Sequence, residues 1–215
     1  MIPKQHLKSS ILLAAALVCS TAATQAALYR ISLDTTVLTS GLNSPKGPFS
    51  LDFQLNDGNA LDNNSATISN ITFTGGNASG IATRDGGATG DLFGTIVLTE
   101  SSAFNSLFQS FSSGTTMIEF DLDLTANVAA GQTPDSFSVG ILQDNPFGAI
   151  STSGLGGTLL QMEIDSTTPT EGDFIITPGN GDFNGLTVTA VPEPTSAVCA
   201  VLALGLGALR RRRSA

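Results

Sequence analysis

Two stretches of strict alternation constrain this chain more than anything else in it. Phe49, Leu51, Phe53 and Leu55 alternate with Ser50, Asp52, Gln54 and Asn56, and Ile118, Phe120, Leu122 and Leu124 alternate with Glu119, Asp121, Asp123 and Thr125. Successive side chains of an extended strand point to opposite faces, so a period of two gathers every apolar group on one side. A helix would scatter the same residues around its circumference. Each stretch is therefore expected as a strand with one buried and one wet face, as in an antiparallel sheet covered on one side. Shorter segments carry a weaker form of the signal: residues 29–33, 71–73, 93–98, 137–141, 160–164, 174–176 and 186–188. About nine strands separated by Gly, Asn, Asp and Pro clusters give an all-β class, an antiparallel and jelly-roll-like β-sandwich.

One segment departs from that rhythm. Phe104, Leu107, Phe108 and Phe111 fall at i, i+3, i+4 and i+7, with Ser101 or Ser102 placed to cap the start and Gly114 to stop the end. The spacing predicts one short amphipathic helix lying over the sandwich.

The ends of the chain have a different character. Lys4, His6 and Lys8 precede an apolar run over residues 11–19, which is too short to span a bilayer comfortably, and small residues follow it. That is the build of a signal peptide over residues 1–26. Cleavage after Ala26 leaves Thr24 two residues before it, and cleavage after Ala23, with Thr21, is the alternative. Val18 ahead of Cys19 is bulkier than the small residue that lipoprotein signals place there, which argues against lipidation. At the other end, Pro192, Glu193 and Pro194 precede an apolar stretch reaching Leu209, then Arg210, Arg211, Arg212 and Arg213. The prolines hold the backbone extended and outside any helix or sheet. As a helix, residues 196–209 would run about 21 Å, short of a hydrocarbon core of about 30 Å, a gap that snorkelling arginines and local thinning cover. Four arginines resist translocation and keep that end cytoplasmic.

This tripartite tail, residues 191–215, resembles the PEP-CTERM sorting signal of Gram-negative bacteria. The motif is Pro192, Glu193 and Pro194, the transmembrane helix covers residues 195–209, and the basic stop cluster is Arg210, Arg211, Arg212 and Arg213. The resemblance implies recognition and removal of the tail by a membrane enzyme of the exosortase type. It also implies an inner-membrane intermediate, then delivery to the cell surface or an exopolysaccharide matrix. The Pro-Glu-Pro element is one of recognition and not of catalysis, and Cys199 becomes a passive helix residue. An ordinary tail anchor preceded by a chance Pro-Glu-Pro is the plainer alternative. The order of loop, Gly-rich hairpin, Phe-rich segment and strand over residues 48–165 also loosely resembles the body of certain small PEP-CTERM surface proteins, a likeness that carries no catalytic residues.

With both ends set aside, residues 27–190 form one expected domain, long enough to bury about two thirds of its unfolded surface. Charged residues make up only 13% of the whole chain, against about a quarter in an ordinary soluble domain. Between residues 27 and 191 only Arg30, Lys46 and Arg84 are basic against seventeen acids, a net charge of −14. Such a surface repels phosphate backbones and excludes nucleic acid as a partner.

His6, Cys19 and Cys199 are the chain's entire stock of imidazole and thiol, and all three lie in the terminal segments. A Ser-His-Asp triad, a Cys-His pair or a His-liganded zinc site therefore has no residues to work with in the body. Carboxylate pairs such as Asp121 with Asp123, or Glu163 with Asp165, satisfy the residue types of glycoside hydrolysis, yet each pair sits on what should be a strand's solvent side. The expectation is no enzyme.

Two loops are rich in oxygen ligands. Residues 56–64 hold six Asn or Asp side chains in nine positions, and residues 179–185 form a second polar loop. Hard cations take such ligands, and if calcium binds, Asp57, Asn59 and Asp62 are its expected partners. Neither loop has the acid spacing or closing Glu of the twelve-residue calcium loop, although residues 181–185 are similar to the start of a dockerin-like repeat. The same residues suit tight turns on conformational grounds alone, and the turn is the preferred reading. A carbohydrate-binding module remains as an alternative to a plain surface or matrix protein. It is weakened by the lack of Trp, by the solitary Tyr29 and by Phe residues expected to face inward.

Overall fold

The computed structural model describes residues 26–38, 47–128, 131–144, 147–149, 158–176 and 185–191, all within one compact unit, Ala26–Val191. Apart from Ala26 and Val191, the expected signal peptide and the sorting tail with its arginines lie outside the described residues, as does nearly all of the second polar loop. In chain order the strands are β1 (Ala26–Asp34), β2 (Phe49–Asn56), β3 (Ser65–Thr74), β4 (Thr83–Asp85), β5 (Gly87–Thr89), β6 (Ile96–Thr99) and β7 (Phe104–Phe111). There follow β8 (Met117–Thr125), β9 (Asp135–Asp144), β10 (Phe147–Ala149), β11 (Thr158–Ile164), β12 (Phe174–Ile176) and β13 (Leu186–Ala190).

They form two antiparallel sheets. One has the order β13-β1-β8-β3-β6-β5, the other β12-β11-β9-β2-β7-β4, with β10 paired to the end of β9. The alternation in β2 and β8 sets the inner layer: all eight apolar residues of the two alternating series are buried, with Phe53 and Phe120 edge to face at 5.3 Å between ring centres. Since Phe53 stands in one sheet and Phe120 in the other, this pair spans the core, a geometry that aromatic quadrupoles favour. Tyr29 and Phe174, from β1 and β12, repeat it at 4.8 Å near one edge.

The Phe-rich segment is a strand and not a helix. β7 pairs residue for residue with β2, from Phe104 opposite Asn56 to Phe111 opposite Phe49. Its inward positions are Asn105, Leu107, Gln109 and Phe111, all buried, whereas Phe104 is 44% exposed on the other face. Two polar residues therefore point into the core. Asn105 accepts from Gly87 N (2.8 Å) and Ser102 N (3.2 Å) and donates to Leu55 O (3.1 Å) and Ser102 O (2.7 Å). Gln109 accepts from Leu92 N (2.7 Å) and donates to Gly80 O (3.1 Å). Both side chains take up backbone groups of turns and strand ends. Among the described residues the helical turns are two 3₁₀ segments, Thr36–Leu38 and Glu171–Asp173.

β4 and β5 are short and carry no apolar alternation, and their placement depends on that same Asn105. Gly86 turns the chain between them at φ +59°, and a Cβ there would collide with Asn105 Oδ1 and Phe104 O. Glycine is the residue that fits both demands. The expected strand over 93–98 is trimmed to β6, because Phe93 lies in a turn closed by Asp91 and is 68% exposed.

Candidate functional site

Loop 56–64, the stretch singled out for its Asn and Asp content, leaves β2 and returns into β3. Asp57 Oδ1 accepts from Asn59 N (2.9 Å) and Ala60 N (2.5 Å), and Asn59 Oδ1 accepts from Leu61 N (2.8 Å). These are side-chain-closed turns, the conformational use of Asn and Asp. Asp62 is exposed. The three expected calcium ligands thus share a loop, with Asp57 and Asn59 committed to turning it. Among the described residues no three His, Cys, Asp or Glu side chains converge as a metal would require.

The loop is gathered instead around Asp135, the first residue of β9, which is 1% exposed. Its Oδ1 accepts from Gly58 N (2.8 Å) and Asn59 Nδ2 (3.0 Å), and its Oδ2 from Asn59 Nδ2 (3.1 Å) and Asn64 Nδ2 (2.7 Å). Gly58 is required sterically, since a Cβ there would strike the carbonyl of Pro134. Asn64 Oδ1 in turn accepts from Asn127 N (2.7 Å), and Asn127 Nδ2 returns a bond to Asn63 O (2.6 Å). Loop N–H groups thus satisfy both oxygens of this buried side chain.

Glu100, directly after β6, is the second buried acid here, at 2% exposure. Its Oε2 accepts from Asn64 N (2.7 Å) and Asn63 N (3.3 Å). Burial drives its carboxyl up to about 7; the Asn64 N–H opposes that shift, Asp135 adds to it, the Asn63 N–H opposes it and Asp57 adds the last increment. Sequence reading passed over Glu100, Asp135 and Asn127. They lie 36 to 77 residues from their partners, and nothing local in the sequence marks such contacts.

Beside the loop is a cleft of about 230 Å³, with Val128, Pro134 and Ile164 among its walls and Asn59 and Asp165 among its polar lining. Of the carboxylate pairs considered for hydrolysis, Asp121 is taken up by Arg30 Nε (2.8 Å) and Asn70 Nδ2 (2.7 Å) on the outer face of β8. Asn70 reaches it from a bulge in β3, at φ 51°. Asp165 lines the cleft, and Glu163 stands exposed on β11. Among the described residues no helix is long and apolar enough to cross a membrane. No protein-family model, curated protein or solved structure matches the chain.

Proposed function

We propose that the chain is a non-catalytic exported protein of the cell surface or extracellular matrix, sorted through its C-terminal tail. The supporting observation is where the compact unit begins and ends. Ala26–Val191 closes on itself, and Val191 N donates to Leu28 O at 2.8 Å, so both boundaries meet beside β1. The first boundary falls one residue before the expected cleavage after Ala26, and the second is the residue before Pro192. Trimming at either end removes no described strand. On this reading Pro192, Glu193 and Pro194 are the element read by an exosortase-type enzyme, and Arg210, Arg211, Arg212 and Arg213 hold the intermediate in the inner membrane. A jelly-roll-like architecture is part of the proposal. β1 pairs β8, β2 pairs β7, β3 pairs β6, and β4 turns tightly into β5, the nesting of a hairpin folded over on itself.

Carbohydrate binding, to an exopolysaccharide, is the second reading. The exposure of Phe104 on β7 and of Phe93 in the turn before β6 favours it, because both offer flat apolar faces to sugar rings.

The test of sorting replaces Pro192, Glu193 and Pro194 together by Ala and follows an epitope tag placed before Pro192. Retention in the membrane with the arginines attached is expected. Release at the parent's rate and length would make the segment a linker and end the proposal.

A further inference from the structure

Loop 56–64 is held by two carboxylates from distant parts of the chain, and they are held unequally. Asp135 has amide donors on both oxygens. Glu100 has both of its donors, Asn64 N and Asn63 N, on Oε2. Its Oε1 is buried and has no hydrogen-bond partner. Asn64 couples the two acids directly, giving its backbone N–H to Glu100 and its side-chain N–H to Asp135. The charged groups acting on Glu100 are Asp135 and Asp57, both anionic. The two ion pairs among the described residues, Arg30 with Asp121 and Arg84 with Asp91, lie elsewhere.

A carboxylate with one dry oxygen and two anionic neighbours is poorly placed to carry a full charge. As the neutral acid it keeps Oε2 as an acceptor for the loop N–H groups and removes the repulsion. As the anion it gains most by reaching water, which requires loop 56–64 to open. We infer that Glu100 is a proton-operated latch, closing loop 56–64 against Asp135 when neutral and releasing it to solvent when ionised.

The latch works near neutral pH because burial first, and then Asp135 and Asp57, place the Glu100 carboxyl at about 7 against an ordinary 4.5. A folded value above the unfolded one means that the proton's stabilisation is complete below about 4.5 and is lost as pH rises through about 7. Opening also reshapes the neighbouring cleft, since Asn59 belongs to its lining. The inference does not depend on how the chain is sorted.

Hydrogen exchange on the full chain in mild detergent tests it, with amide protection over residues 56–64 corrected for the intrinsic pH dependence of exchange. Between about pH 5.5 and about pH 8.5 protection should fall roughly tenfold or more in the parent and change by less than about twofold in Glu100→Gln. Should that variant fail to fold, carboxyl-carbon NMR of the Glu-labelled parent reads the same group, and one carboxyl should titrate near 7. Parent protection indifferent to pH, parallel loss in parent and variant, or every Glu carboxyl titrating below about pH 5.5 would each overturn the latch.

Discussion

Gln109→Leu separates the two structures that residues 104–111 might have adopted. On an amphipathic helix with Phe104, Leu107, Phe108 and Phe111 inward, Gln109 faces water, and an exposed substitution shifts stability by no more than about 0.5 kcal/mol. In β7 its side chain is 1% exposed and holds two loops, accepting from Leu92 N at 2.7 Å and donating to Gly80 O at 3.1 Å. Leucine matches the volume and adds apolar burial, yet strands both backbone groups. A buried N–H left unpaired costs about 1–3 kcal/mol, and the more exposed Gly80 carbonyl recovers water and costs less. The apolar gain offsets about 1 kcal/mol, which leaves a net loss of about 1–2 kcal/mol. For a domain of this size that lowers the melting temperature by roughly 2–8 °C. Urea unfolding of residues 27–191 supplies the number, with a shifted midpoint and an unchanged slope. A loss below about 0.5 kcal/mol would refute the core position of Gln109 and the strand with it.

Other expectations follow from single residues. Tyr29 is the chain's one Tyr and there is no Trp, so absorbance near 295 nm reports it cleanly. Burial first, then Asp173 and Glu171, push its phenol up to about 12 from 10.0, and the domain should therefore lose stability as pH rises from about 10 towards about 12; a normal titration at about 10 without unfolding would contradict the buried placement. Tyr29→Phe removes a hydroxyl that has no partner and should be neutral or stabilising in urea unfolding; a loss above about 1 kcal/mol would reveal a bond the structure lacks. Asp135→Ala orphans Gly58 N and the amides of Asn59 and Asn64, and should cost about 3 kcal/mol or more by the same assay. Residues 27–191 alone should give a β-type circular dichroism spectrum and sediment as a monomer; a chelator should barely move the melting point, whereas a drop of many degrees restored by calcium would return Asp57, Asn59 and Asp62 to consideration.

The sequence made some strands plain and disguised others for physical reasons. β2 and β8 were legible because each lies at the centre of its sheet with an apolar inner face and a polar outer one. β7 lies next to the edge strand β4 and is just as fully paired to β2, but its inner face holds Asn105 and Gln109 and its outer face Phe104 and Phe108. The resulting apolar spacing of three and four imitates a helix. Hydrogen bonds to Gly87, Ser102, Leu92 and Gly80 override the binary pattern, and no local reading includes them. β4 and β5 were illegible as strands because three residues offer too little alternation, and a single turn at Gly86 and pairing to β7 and β6 place them. Loop 56–64 was recognisable as a polar feature, and Asp57 and Asn59 do close its turns. Its organising acid, Asp135, stood more than seventy residues away, where nothing distinguishes it from any other Asp.

If the proposed sorting holds, a closed β domain is delivered with both terminal segments removed. Intact-mass measurement of the protein recovered from the cell surface or medium tests it most directly. A species beginning near Ala27 and lacking Arg210, Arg211, Arg212 and Arg213 is expected there, with β13 whole and β1 shortened by no more than its first residue. Recovery there of a chain running from Met1 to Ala215 would contradict it.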